Sequence, residues 1–172
     1  MLRSVLLRCF FLWLVICPLA FTPALSQIVV DNTGDSGPGS LRDAVAQANT
    51  NPGPDQIIFD PGLSGSIIVI DNPIILLSGD GNATTIDGDI GSDGTANITL
   101  QSQSGNSTGL ILEGANNVIR FLHLENFGGA GNAAIRITGA AAQGNRVLGC
   151  LLGTNQTGDG PSVVAGNNVG IE

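Results

Sequence analysis

The chain has 172 residues, of which 25 are glycine, and it contains neither tyrosine nor lysine. We predict no nucleic-acid partner, because a formal net charge of −8 at pH 7 repels nucleic acid and anionic lipid. Aromatic residues make up only 4% of the chain. This composition disfavours a helical bundle and favours many short strands joined by tight turns.

The first 26 residues have the pattern of a secretory signal peptide. Arg3 and Arg8 provide a positive start, residues 9–20 are almost wholly apolar, and the small-residue site Ala24-Leu25-Ser26 follows. The apolar stretch is shorter than the roughly 20 residues that a membrane-spanning helix needs. We predict a cleaved signal peptide over 1–26, membrane contact only through this export signal, and a secreted or cell-surface location. An uncleaved N-terminal anchor is the alternative.

After removal of that segment, residues 27–172 keep all 14 acidic residues but only four arginines, which is a formal charge of −10. One cysteine of three remains, Cys150, so an internal disulfide is excluded. The repeat described below places Cys150 at the position of Leu122. We therefore interpret it as a small buried hydrophobe rather than as a reactive thiol.

A strand and a short helix open the mature chain, and we assign residues 27–54 to an N-terminal cap. The strand is predicted from Ile28. Ser40 has the chemistry of a helix N-cap, with Asp43 three residues on, which is the capping-box spacing. We predict a helix over 40–50 that covers the N-terminal end of the strands that follow.

Short apolar runs bounded by turn residues follow, without further helices. We predict strands at 57–59, 67–70, 74–77, 98–100, 110–112, 118–124, 135–137, 147–152 and 169–171.

Two of these strands recur in order. Residues 107–115 align with 132–140 at an offset of 25, and 117–124 align with 145–152 at an offset of 28. Two strand types that alternate at this period indicate stacked coils. We predict an all-β fold, a right-handed parallel β-helix over residues 55–172 with a short N-terminal capping helix. The alignment stops in mid-strand, so we expect further coils to continue this end. A partner that covers the open end is the alternative.

The opening of the mature chain resembles a known family. Residues 31–49 read Asp-Asn-Thr-Gly-Asp-Ser-Gly-Pro-Gly-Ser-Leu-Arg-Asp-Ala-Val-Ala-Gln-Ala-Asn, and Asp-Gln-Ile-Ile-Phe follows at 55–59. This resembles the start of bacterial surface proteins of the CSLREA-type and polymorphic-outer-membrane-protein-like group, in the pectate-lyase-like superfamily. Gly39 stands where that group has its leading cysteine. The resemblance implies a β-helix and export, but no single activity.

The densest acidic cluster is formed by Asp87, Asp89 and Asp93. Alternate carboxylates in a glycine-rich loop supply the oxygen ligands that Ca²⁺ prefers, but the EF-hand spacing and its closing glutamate are missing. Asp-Gly pairs also build tight turns. We interpret the cluster as a turn, with a calcium site as the second interpretation, and we predict no other cofactor.

Charged residues on the repeated strands are the remaining candidates for chemistry. A glycosidase needs paired carboxylates, and the relevant side chains are Glu113, Arg120, His123, Glu125 and Arg136. We expect Arg120 and Arg136 to belong to different sheets. We therefore interpret the set as solvated charge on the outer face and predict no catalytic residue.

Asparagine recurs just before three strands, at Asn117, Asn145 and Asn168. Stacked asparagines can hydrogen-bond from coil to coil, so we predict a structural role for them.

These observations predict an exported structural or adhesive protein that contacts extracellular glycan or other cell-surface material. They favour a non-enzyme for this chain but leave the question open. The alternative is the N-terminal part of a carbohydrate-active enzyme, a polysaccharide lyase or glycoside hydrolase, whose catalytic groups lie beyond residue 172.

Overall fold

The computed structural model describes residues 25–77, 83–154, 167 and 170–172. Most of the predicted signal peptide and Asn168 lie outside these ranges. The described part contains one α-helix, α1 (Leu41–Ala48), which is too short to span a bilayer. Its strands are β1 (Ser26–Val30), β2 (Asp55–Phe59), β3 (Ile67–Ile70), β4 (Ile74–Leu76), β5 (Thr84–Asp87), β6 (Ile98–Ser102), β7 (Leu110–Leu112), β8 (Val118–Arg120), β9 (Leu122–Glu125), β10 (Ile135–Ile137), β11 (Arg146–Leu148) and β12 (Leu151–Leu152).

Each of the three complete coils gives one strand to each of three parallel sheets. The five-stranded sheet has the order β1-β2-β5-β8-β11, the four-stranded sheet β3-β6-β9-β12, and the three-stranded sheet β4-β7-β10. The strands make about four turns of a solenoid. The predicted all-β parallel β-helix with one short helix is confirmed.

The strand registers reproduce both sequence offsets. Leu110 pairs with Ile135 and Val118 pairs with Arg146, which are separations of 25 and 28 residues. Inward side chains of successive coils form buried rows. Burying each such side chain contributes about 1.5–3 kcal/mol. Two of the rows are Ile57, Ile86 and Ile119, and Ile74, Leu110 and Ile135.

Two stretches predicted as single strands are each divided by a corner. Phe121, with φ of 51°, separates β8 from β9, and Gly149, with φ of 61°, begins the corner between β11 and β12. A left-handed residue turns the chain from one sheet to the next without a loop. A Cβ on Gly149 would lie 2.5 Å from Phe121 Cε1, so the stacked corners leave room only for glycine there.

Strand β5 was not predicted from the sequence. Its residues Thr84–Asp87 include a single strongly apolar side chain, and glycine follows directly, so the segment has the composition of a turn. Pairing with β2 on one side and β8 on the other holds it in the sheet.

Helix α1 covers the N-terminal end of the solenoid. The Ser40 hydroxyl accepts a hydrogen bond from Asp43 N (3.2 Å), and the Asp43 carboxylate accepts one from Gly39 N (3.1 Å). The helix packs on β1, β2 and β4. Its buried face consists of Leu41, Ala44, Val45 and Ala48.

Side chains of the cap satisfy the open backbone edge of β4. Asn49 Nδ2 donates to the Ile75 carbonyl (2.9 Å), and Asn49 Oδ1 accepts from Leu77 N (2.9 Å). Arg42 Nη1 donates to the Pro73 carbonyl (2.9 Å). The asparagine amide thus takes the place of a neighbouring strand, which protects this edge from pairing with another chain.

We expect Asn49→Ala to lower the free energy of unfolding by about 1–2 kcal/mol, because two hydrogen bonds to the β4 edge are lost. Urea denaturation measures this. Gln47→Ala is the matched control, since that exposed side chain bonds only to Asp43 in its own helix. Equal stability of the two variants would contradict the edge-covering role.

Candidate functional site

The outward face of the five-stranded sheet carries a shallow cleft in two adjoining halves. Gln56 and Arg120 line both halves. We call the half of about 330 Å³ the arginine cleft and the half of about 340 Å³ the aspartate cleft. The arginine cleft is further lined by Leu25, Thr85, Val118, Arg146 and Leu148. The walls of the aspartate cleft include Asp87, Asp89, Ile90, Gly91 and Ser92.

An ion pair between neighbouring coils stands at the boundary of the two halves. Arg120 Nη2 lies 2.5 Å from Asp87 Oδ2, and the Asp87 side chain is 10% exposed against 40% for Arg120. Arg120 Nε is buried and has no hydrogen-bond partner in the described part of the chain. The carboxylate therefore engages the guanidinium through one nitrogen only, and it fixes the arginine at the cleft.

A second arginine lies on the same face one coil further on. Arg146 is exposed and pairs in register with Val118, two residues before Arg120, so the Cα atoms of the two arginines are about 8 Å apart. Its side chain has no hydrogen bond or ion pair with any described residue. Half of the arginines of residues 27–172 thus share one small face of a strongly acidic protein.

The three aspartates of the predicted cluster build the loop that follows β5. Asp87 Oδ1 accepts from Asp89 N (3.2 Å), and the Asp89 carboxylate accepts from Asp93 N and Gly94 N (both 3.0 Å). Asp93 accepts from the Thr95 hydroxyl and amide, and these hydrogen bonds hold the pKa of Asp93 below its ordinary value. This is the hydrogen bonding of tight turns.

No three His, Cys, Asp or Glu side chains of the described ranges are grouped so that they could hold a metal ion. Ca²⁺ would also have to compete with the loop N–H groups for the same carboxylate oxygens. The calcium interpretation of Asp87, Asp89 and Asp93 stays a prediction, which a metal titration can test.

A buried polar cluster lies on the outward face of the four-stranded sheet. His123 and Glu125 are only 1% and 5% exposed. His123 Nδ1 lies 3.1 Å from Thr99 Oγ1, and its Nε2 lies 2.5 Å from the Thr154 carbonyl oxygen. Because a carbonyl only accepts, Nε2 carries a proton. Glu125 accepts from Gln101 Nε2 (3.0 Å).

The prediction of solvated charge is therefore wrong for His123 and Glu125. Both side chains are buried because the neighbouring coils place a hydrogen-bonding partner beside each of them. The partner of His123 includes the Thr154 carbonyl after β12, and the partner of Glu125 is Gln101. Aligning adjacent coils at an offset of 24 would have signalled the cluster, since it pairs Thr99 with His123 and Gln101 with Glu125.

The other charged candidates do not join this cluster. Arg136 lies in the three-stranded sheet and forms an ion pair with Glu172 (2.8 Å), so Arg120 and Arg136 are in different sheets, as expected. Glu113 is exposed just after β7. Glu113 therefore follows a strand of the three-stranded sheet, whereas Glu125 belongs to the four-stranded sheet. The two carboxylates do not form the pair that a glycosidase needs.

The asparagines before β8 and β11 hydrogen-bond to the backbone between coils. Asn117 Oδ1 accepts from Thr84 N (3.0 Å), and Asn145 Oδ1 accepts from Asn117 N (2.8 Å). Asn145 Nδ2 donates to the Gly114 carbonyl (2.7 Å). Each side chain thus tethers the start of its strand to the preceding coil, whereas Asn168 falls outside the described residues.

Cys150 packs against the core from the corner before β12. Burial raises the pKa of its thiol. The sulfur lies 3.6 Å from the Ile119 carbonyl oxygen. Both features fit a structural side chain, because a reactive cysteine needs an accessible thiolate.

Comparison of the chain with models of known protein families and with curated proteins gave no match. The resemblance of residues 31–59 to CSLREA-type surface proteins gains no support from these comparisons. Support for the β-solenoid fold comes from the structure itself.

We expect Arg120→Gln to lower the free energy of unfolding by about 1–3 kcal/mol, because it leaves the mostly buried Asp87 carboxylate without its counter-ion. Asp87→Asn should cost less, since the 40% exposed arginine can be solvated by water. Urea denaturation of both variants at pH 7 measures the difference between their free energies of unfolding. A larger loss for Asp87→Asn would contradict this description of the pair.

Proposed function

We propose that the chain is an exported β-solenoid that serves outside the cell as a rigid structural or adhesive element. The observation that supports the proposal is the position of the first described strand next to the predicted cleavage site. Strand β1 begins at Ser26 and pairs along its full length with β2. Cleavage after Ser26 would remove a single residue of β1 and would leave the other described strands intact.

Rigidity follows from the way the coils are joined. Every described strand is hydrogen-bonded to a strand of a neighbouring coil, and aliphatic rows fill the interior. Helix α1 closes the N-terminal end. The outward sheet faces remain available for recognition, and the high negative charge keeps such a body soluble outside the cell.

The alternative, a carbohydrate-active enzyme, has less support in the described residues. The two carboxylates that line the aspartate cleft, Asp87 and Asp89, are engaged by Arg120 and by loop N–H groups. Glu113 and Glu125 do not face each other. This alternative places the catalytic groups outside the described residues, beyond residue 172.

Export and processing can be tested together by producing the chain in a bacterial host and fractionating the cells. We expect the protein outside the cytoplasm with Gln27 as its first residue, because the charged start, the apolar stretch and the small-residue site are those that the export and processing machinery uses. N-terminal sequencing and intact mass measure this.

The matched pair of variants changes one residue of the apolar stretch. Leu14→Arg places a charge in its centre and should leave the chain uncleaved in the cytoplasm, whereas Leu14→Ile should be exported like the parent. An uncleaved parent chain in the cytoplasm, or normal export of Leu14→Arg, would contradict the proposal.

A further inference from the structure

We propose that the arginine cleft binds a small hydroxylated carboxylate, the chemistry shared by sugar acids and open-chain hydroxy acids. This inference rests on the adhesive role proposed above and adds the face and the ligand chemistry.

The charge of the arginine cleft is the first argument. Arg120 and Arg146 both line it, and no acidic residue does. Arg120 is already paired with Asp87 of the aspartate cleft, so Arg146 supplies the uncompensated positive charge. An anion placed between the two guanidinium groups is attracted to both. A carboxylate matches the planar fork of donors that a guanidinium presents.

The two arginines differ in how many of their hydrogen-bond donors are already engaged. Arg120 is held in place because one of its nitrogens bonds Asp87, and this leaves other donors unused. Arg146 is exposed and has no partner among the described residues. The cleft therefore offers one fixed cation and one that has no hydrogen-bond partner in the described part of the chain.

The other residues that line the cleft indicate the chemistry of the ligand beyond its carboxylate. Gln56 and Thr85 provide an amide and a hydroxyl, and neither side chain hydrogen-bonds another described residue. These groups suit ligand hydroxyls. Val118 and Leu148 add aliphatic surface for its carbon atoms, while no aromatic ring lines the arginine cleft.

Size favours a small molecule over a macromolecule. The outward face is five strands wide with two rows of side chains, which gives an area of about 300 Å² from the strand spacing and rise. A stable protein interface needs about 800 Å² on each partner. A long polyanion would also be repelled by the charge of the rest of the surface.

Signal cleavage would enlarge the site. Leu25 lines the arginine cleft and is 58% exposed, and it belongs to the predicted signal peptide. Its removal opens the cleft on the side of β1.

Titration calorimetry on the purified chain tests the ligand chemistry with four probes. Sodium glucuronate and sodium gluconate carry both carboxylate and hydroxyls, glucose lacks the carboxylate, and sodium pentanoate lacks the hydroxyls. We expect saturable binding of at least one of the first two and about tenfold weaker binding of glucose and pentanoate, because each lacks one set of polar contacts. The tighter of glucuronate and gluconate identifies the source as a ring or an open chain.

The inference would be overturned if neither hydroxylated carboxylate binds at concentrations up to roughly 50 mM, at which even very weak binding is detected. Equal binding of pentanoate or glucose would also overturn it. The readout uses purified protein, so it is independent of export. If the purified chain binds these ligands but is not exported, only the proposed function is contradicted. If it is exported but does not bind them, only this inference is contradicted.

A matched pair of arginine variants locates the site. Arg146→Gln should weaken glucuronate or gluconate binding about tenfold without affecting folding, because this side chain is exposed and unpaired in the described structure. Arg136→Gln removes the same charge from the three-stranded sheet and should leave binding within about twofold. Equal effects of the two variants, or no effect of Arg146→Gln, would overturn the assignment to the arginine cleft.

Discussion

Parallel hydrogen bonding between successive coils is the interaction on which the rest of the structure depends. It holds each strand against a strand 24 to 36 residues away, as in the pairs Ile98 with Leu122 and Ile74 with Leu110. Side chains alternate between the two faces of a strand, so a shift of one residue would turn an inward row such as that of Ile119 outward. Core, cap and cleft all require the same register.

The register also creates the chemistry of the surface. Asp87 and Arg120 are 33 residues apart in sequence, yet they are direct neighbours on β5 and β8. Arg146 joins them because β11 adds the next strand. His123 and Glu125 acquire their partners in the same way on another sheet. Functional groups of a solenoid are therefore brought together across coils.

Features with a local or periodic signal could be predicted from the sequence. The Ser40 cap depends on residues three apart, and the Leu110 and Ile135 coils share a repeated pattern. Features that depend on a neighbouring coil were missed: strand β5, the corner at Phe121 and the burial of His123. Loop lengths vary between coils, so the residues that become neighbours are known only once every corner has been located.

An engineered disulfide tests the stacking of coils most directly. Ile75 and Ile111 are paired on the outward face of β4 and β7, so their Cα atoms lie about 4.8 Å apart, within the range of about 4.4–6.8 Å that a disulfide spans. In a Cys150→Ser background, Ile75→Cys with Ile111→Cys should oxidise readily to an internal bond. Ile75→Cys with Arg136→Cys, two strands apart, should not. The opposite result, or a bond in neither variant, would contradict the β-solenoid.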